Sequence, residues 1–126
     1  MQAERAESAC PVRGLLNRFG DSWSVAIINL LSSGPVRFNE LRRKASRLHA
    51  SSEISARMLT LTLRNLERDG FVHRSVSQFP ILKVEYGLTE LGSSFSDLFL
   101  GICEWHRDNE NKIHASQRRY DQRGTE

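Results

Sequence analysis

The stretch that decides the fold runs ISARMLTLTLRNLERDG (residues 54–70), FVHRSV (71–76), SQFPIL (77–82), KVEYGL (83–88). The first piece has helical periodicity. On a wheel of about 100° per residue, Met58, Leu59, Leu63 and Leu66 fall on one side and are expected to face the core. Arg57, Thr60, Arg64 and Arg68 share the opposite side, with Leu61 beside them. Gly70 suits the C-terminal cap of this helix. The second and fourth pieces alternate and are rich in β-formers, and the third reads as the tip of the hairpin they form.

Working outward, Val12, Leu15, Leu16 and Phe19 are spaced for one face of a first helix, which Gly20 closes. Asp21 or Ser22 can cap a second helix carrying Trp23, Ala26, Ile27, Leu30 and Leu31. Ser32-Ser33-Gly34-Pro35 breaks the pattern. Phe38, Leu41 and Ala45 predict a short third helix with Arg42, Arg43 and Lys44 mostly outside. Ser46 to Glu53 is a polar link. Thr89 can cap a long last helix, on which Leu91, Phe95, Leu98, Ile102 and Trp105 alternate at spacings of four and three. The order is α-α-α-α-β-β-α: mainly α with a small β-hairpin (α+β), the layout of a winged helix-turn-helix. Residues 1–9 are expected as a flexible N-terminus, 10–114 as one domain, and 115–126 as a flexible, frayed tail.

Composition bounds the function. The 126 residues are 39% hydrophobic and 26% charged, ordinary for a soluble domain. No apolar run approaches the roughly 20 residues of a membrane span. The first nine residues do not read as a signal peptide. Two cysteines, Cys10 and Cys103, are too few for a disulfide scaffold, and a reducing cytoplasm is the default. The four histidines and two cysteines show no tight metal spacing. His49 beside Ser51 and Ser52 lacks an orienting acid, and there is no Gly-rich phosphate loop. Neither an enzyme nor a bound metal or cofactor is expected.

Charge is placed unevenly. The chain carries +3 overall, yet residues 37–74 hold nine Lys or Arg against four acids, +5 for that segment and −2 for the rest. A basic middle third suits a polyanion, although a solvated helical surface would look the same by charge alone. The outer side of the 54–69 helix adds specific chemistry. Arginine grips guanine or phosphate, and threonine and leucine can meet a thymine methyl. The candidate contacts with double-stranded DNA are Arg37, Arg43, Ser55 at the helix start, Arg57, Thr60, Leu61, Arg64, Arg68, and Arg74 and Lys83 on the wing. Ordinary edge-strand charge is the plain alternative for the last two. An adaptor of winged-helix shape that does not read DNA is the rival function, but it would not need Arg57, Arg64 and Arg68 on one side.

The last helix offers Leu91, Phe95, Leu98, Phe99, Ile102 and Trp105, more apolar surface than a small helix cluster and a wing can cover. A homodimer is therefore expected, with Leu15, Leu16 and Phe19 of one protomer packing against the last helix of the other. Such a two-fold pair reaches successive major grooves, so the operator should be near-palindromic.

The chain also resembles a known family. Cys10-Pro11-Val12, Gly20-Asp21-Ser22-Trp23, the run Gly34 to Arg43, Met58-Leu59-Thr60, Leu63 to Val72, Val84 to Gly92 and Cys103-Glu104-Trp105 look like the HxlR-type regulators, in order from Cys10 to Trp105. The resemblance implies a prokaryotic, cytoplasmic, nucleoid-associated dimer related in fold to the MarR group, and repression rather than activation. Some members sense oxidants or electrophiles through a cysteine at the position of Cys10. A thiol near a helix start, with Arg13 close in sequence, suits such a sensor; packing at the dimer interface is the other reading, and packing is also expected for Cys103. Two departures stand out. The link from Arg43 to Met58 is about five or six residues longer than the family's, with Leu48 to Ser52 inside the excess, and Leu61 and Thr62 stand where polar residues are usual.

Overall fold

A computed structural model describes residues 12–20, 23–48 and 53–124. The elements are α1 (Arg13–Arg18), α2 (Ser24–Leu31), β1 (Val36–Arg37), α3 (Phe38–Leu48), α4 (Ala56–Arg68), β2 (Val72–Ser77), β3 (Lys83–Leu88) and α5 (Glu90–Gly124). The fold is a winged helix, mainly α with a small antiparallel sheet. The chain divides into two compact units, one ending at Ser93 and one beginning at Ser94. No helix among the described residues is long and apolar enough to cross a membrane.

The core of the first unit is built around α2, which touches α3, α4 and β3. α2 buries one stripe, Ser24, Ile27, Ile28 and Leu31, turned slightly from the expected one: Ile28 joins the interior, while Ala26 and Leu30 are only half-buried. Leu41 and Ala45 enter from α3. From α4 come Leu59, Thr62, Leu63 and Leu66, each of the leucines contributing about 2 kcal/mol by leaving water. Met58, expected in this set, is instead 45% exposed. Thr62 takes its place, because its hydroxyl donates to the Met58 carbonyl at 2.9 Å and only its methyl has to be accommodated.

The sheet holds a strand that alternation does not reveal. Val36–Arg37 is two residues long and pairs antiparallel with β3, Val36 opposite Tyr86 and Arg37 opposite Glu85. The strand order is β1-β3-β2, so the segment between α2 and α3 is stitched to the hairpin. Gly34, at φ 136°, makes the turn that leads into it, a conformation that favours glycine. The hairpin itself matches its expected strands, from Val72 opposite Leu88 to Ser77 opposite Lys83.

The end of α4 is closed by a Schellman turn. The N–H of Gly70 donates to the Glu67 carbonyl and that of Phe71 to the Leu66 carbonyl, both at 3.0 Å, with Gly70 at φ 87°. The same turn receives the start of α5. Thr89 donates its amide to the Phe71 carbonyl at 3.1 Å and its hydroxyl to the Gly70 carbonyl at 2.5 Å. The Thr89 hydroxyl oxygen in turn accepts from Gly92 N at 3.0 Å, the N-terminal capping expected of it.

Two boundaries differ from those read in the sequence. α3 continues to Leu48, so Ser46 to Leu48 are helical rather than part of the link. α5 spans 35 residues and continues past His114 to Gly124, and the expected boundary at residue 114 falls inside it. Polarity alone does not end a helix: between Ile102 and Arg123 there is no Gly or Pro, and the Asn109 amide and the Glu110–His114 pair bond along the helix. Residues 1–11, 21–22, 49–52 and 125–126 lie outside the described residues, and the expected Asp21 or Ser22 cap lies there with them.

Gly92 is where α5 crosses Phe71 most closely. A Cβ at this position would run into the Phe71 carbonyl oxygen and backbone carbon, atoms that cannot swing aside. Gly92→Ala is expected to cost about 2–3 kcal/mol through overpacking and to lower the melting temperature by roughly 10 °C. Calorimetry checks this; a melting temperature within two degrees of wild type would show that the crossing is looser than drawn.

Candidate nucleic-acid interface

The interface candidate begins with how α4 is aimed. Ile54, just before the helix, is buried, and both its backbone polar groups are held by α3. The Arg42 guanidinium donates through Nε to the Ile54 carbonyl at 3.0 Å, and the Ile54 amide donates to the Ser46 hydroxyl at 3.3 Å. Arg42, expected mostly outside, is half-buried. On a wheel Arg42 lies beside Phe38, and Ser46 lies beside Arg42 at the edge of the face that carries Leu41 and Ala45, so the helical pattern carries the signal for Arg42 and only borders on Ser46. Ser55 then caps the helix, its Oγ accepting from Met58 N at 3.0 Å. That leaves the Ser55 hydroxyl proton available to an outside acceptor.

The outer side of α4 is separated cleanly from the inner one. Arg57, Leu61, Arg64 and Arg68 are exposed and lie opposite Leu59, Leu63 and Leu66. The described residues supply no ion pair within 4.0 Å for Arg57, Arg64 or Arg68, whereas Lys44 pairs with Glu40 at 3.4 Å. Thr60 is half-buried on the flank and donates its hydroxyl to the Ala56 carbonyl at 2.8 Å. Arg43 is exposed on α3.

The wing candidates do not act from one face. By strand register, Arg74 lies in the row with Tyr86 and Val36, while Lys83 lies in the rows with Ser77 and, two residues on, Glu85 and Arg37. Lys83 is bound to Glu85 at 2.7 Å, and Arg37 stands opposite the same carboxylate. The structure thus brings Arg37 and Lys83 together around Glu85 and puts Arg74 on the other side of the sheet.

The expected dimer residues are distributed as follows. In the first unit Leu16 and Leu91 are exposed and Leu15 is half-buried. Phe19 is engaged within its own protomer, its ring edge-on to Phe71 at 5.4 Å and 69°. In the second unit Leu98, Ile102 and Trp105 are exposed on one stripe of α5. Phe95 and Phe99 are half-buried on its flank, their rings 6.4 Å apart. The stripe runs on into a groove of about 390 Å³ along the same helix, lined by Trp105, Asn109, Lys112, Ile113, Ser116 and Gln117. Cys103 is a free, half-buried thiol; Cys10 lies outside the described residues. No group of three His, Cys, Asp or Glu that could hold a metal is present among the described residues.

The model of the HxlR-like helix-turn-helix family matches residues 18–114. Relatives include YdeP of Bacillus subtilis (strain 168), a transcriptional regulator 37% identical over 115 residues, which are 89% of this chain and 85% of that protein. A regulator of Methanothermobacter thermautotrophicus is 36% identical over 99 residues, 79% of this chain and 71% of that one. Among solved structures, the redox regulator HypR in its reduced form is similar at a TM-score of 0.68 and 39% identity, covering 83% of this chain and 98% of its own. Reduced YodB of B. subtilis gives 0.65 and 30%, covering 77% and 89%, and that protein is also known diamide-treated and quinone-bound. The family and these relatives are transcriptional regulators, not enzymes.

The clamp on Ile54 generates a test of its own. Arg42→Ala leaves a buried carbonyl without its charged donor, expected to cost about 1 kcal/mol for a half-exposed partner. Hydrogen exchange at the amides of residues 57–60 should accelerate with it. Unchanged exchange in the variant would show that α4 is aimed by something other than this bond.

Proposed function

This chain belongs to the HxlR-like helix-turn-helix family of transcriptional regulators, and on that premise we propose that it is a dimeric, sequence-specific DNA-binding repressor whose response to oxidants or electrophiles runs through Cys10. The observation that carries the DNA reading is the outer side of α4. Three exposed arginines stand there opposite a fully buried leucine row. A structural helix has no need to set three exposed cations side by side with no ion pair among the described residues, and a major groove offers them guanine edges and phosphates. Leu61 and Thr60 add methyl contacts, and the Ser55 hydroxyl at the helix start meets a phosphate.

The exposed stripe Leu98, Ile102 and Trp105 on α5 supports self-association, since a side chain of this size in water gains most by being covered. A two-fold pair sets two copies of α4 on successive major grooves of a near-palindromic operator, and occupancy of a promoter by the pair excludes polymerase. Arg43 contributes to the phosphate field. Arg74 serves one face of the wing. Lys83 and Arg37 contribute less, because Glu85 already faces both.

Selection of bound duplexes from random DNA should yield an inverted repeat. Arg57→Ala with Arg64→Ala should weaken binding to that repeat by about 100-fold or more and flatten the salt dependence by roughly one unit for each phosphate left unneutralised. Sedimentation should still show a dimer. Unchanged binding by that variant would favour the adaptor function over DNA reading.

The thiol response rests on similarity to HypR and to YodB. Diamide or a quinone is expected to shift operator affinity in the wild type and to leave Cys10→Ser unaffected, measured by gel shift under matched salt. A Cys10→Ser protein that still responds would remove Cys10 as the sensor.

A further inference from the structure

The end of the wing is apolar and unprotected. Phe79 is 89% exposed, Leu82 71% and Ile81 65%, with Val76 beside them on β2, and Pro80 completes the turn. The Ser77 hydroxyl donates to the Phe79 carbonyl at 3.3 Å, which shapes the backbone of the tip while the Phe79 ring stays in water. A hairpin tip in solvent gains nothing from apolar side chains, and a contiguous exposed apolar patch marks a site of interaction. From Ser75 to Val84 there is also no acidic residue, and the only charge is Lys83. A tip of this kind can approach a polyanion without repulsion, yet it has almost nothing with which to grip a phosphate.

Its place in the fold says what it meets. β2 starts directly after the turn that closes α4, so the wing leaves from the end of the helix with the arginine side. Strands of six residues reach about 20 Å, farther than the roughly 12 Å width of a major groove. With α4 in a major groove, a hairpin of this length is long enough for its tip to reach the neighbouring minor groove. Proteins that use that groove insert Phe, Leu, Ile or Pro at base steps and partly unstack them.

We propose that Phe79-Pro80-Ile81-Leu82 is an apolar wedge that enters the minor groove next to each half-site and opens one base step. This deepens the DNA-reading function and rests on it. The wedge confers preference for deformable pyrimidine–purine steps at a position where no side chain makes a base-specific hydrogen bond. The wing thereby adds shape readout to the direct readout by α4.

The test uses the full-length protein and a duplex that it has selected from random sequence, with 2-aminopurine placed at successive positions. Binding should raise the fluorescence at one step in each half-site. The triple variant Phe79→Ser, Ile81→Ser, Leu82→Ser should lose that rise and bind roughly tenfold more weakly, with the salt slope of the wild type because every cation that meets a phosphate is still in place. Its melting temperature and sedimentation should match wild type, since these side chains lie in solvent. Phe79→Leu should keep the rise.

Wild-type binding with no unstacked step overturns the wedge, whatever the triple variant does, while leaving the role of α4 intact. A triple variant that keeps affinity and signal overturns it too. A triple variant that turns monomeric assigns the tip to a second copy of the chain and overturns it likewise. A wild-type protein that selects no sequence at all would instead remove the DNA-reading function itself, and the wedge with it.

Discussion

The Phe71 backbone is the point on which the first unit depends. Its amide closes α4 by donating to the Leu66 carbonyl, and its carbonyl accepts the Thr89 amide that precedes α5. Its ring takes the edge of Phe19 from the α1 end. Gly92 lies so near that carbonyl that no side chain fits between. One residue thus joins the end of α4, the start of β2, the entry to α5 and the C-terminal end of α1. A shift of this turn cannot be absorbed locally, because packed interiors deform in steps rather than smoothly. The angle at which the wing leaves α4 is set here.

The opposite end of α4 is held by different chemistry. Arg42 and Ser46 satisfy both polar groups of the buried Ile54 backbone, which would otherwise be costly to remove from water. With both ends fixed and the inner row packed, nothing structural is asked of the outer row. Arg57, Leu61, Arg64 and Arg68 are exposed and can therefore vary at little cost to stability, which is what the proposed reading role of this side requires. The same division separates Leu61 from Thr62: Leu61 is outward and 45% exposed, while Thr62 is inward and must answer to the core through its bond to Met58.

Much of this is legible in the sequence because periodicity reports which side of an element is covered. The α4 wheel, the hairpin strands, Gly70 and the Thr89 cap all follow from local spacing. What escapes depends on partners distant in sequence. Met58 and Thr62 exchange roles because burial is decided by what stands opposite, and a threonine with a bonded hydroxyl competes with methionine for that place. β1 is too short to alternate and exists only because β3 pairs with it. The charge of Arg42 suggests an outward side chain, although its wheel position beside Phe38 points in. Polarity suggests an early end to α5, whereas a helix stops at Gly or Pro or at competing caps, and a polar stretch lacking them continues.

The wing shows how register decides what a list of basic residues cannot. Arg74 and Lys83 read alike as charges flanking a hairpin. Arg74 stands opposite Tyr86, three residues on from Lys83, and this odd offset sends the two to opposite faces; on Lys83's face Glu85 accepts its charge at 2.7 Å with Arg37 opposite. An exposed pair of this kind contributes little to stability, but it removes a free cation from the surface where a phosphate would meet it. Among the described residues, the exposed arginines of the proposed reading surface stand together on α4, and the wing keeps Arg74 on one side and an apolar tip at its end. In the proposed complex helix and wing would meet a duplex by different physics: the helix by charge and hydrogen bonding, which weaken as salt rises, and the wing by shape and apolar contact, which release no counterions from phosphates.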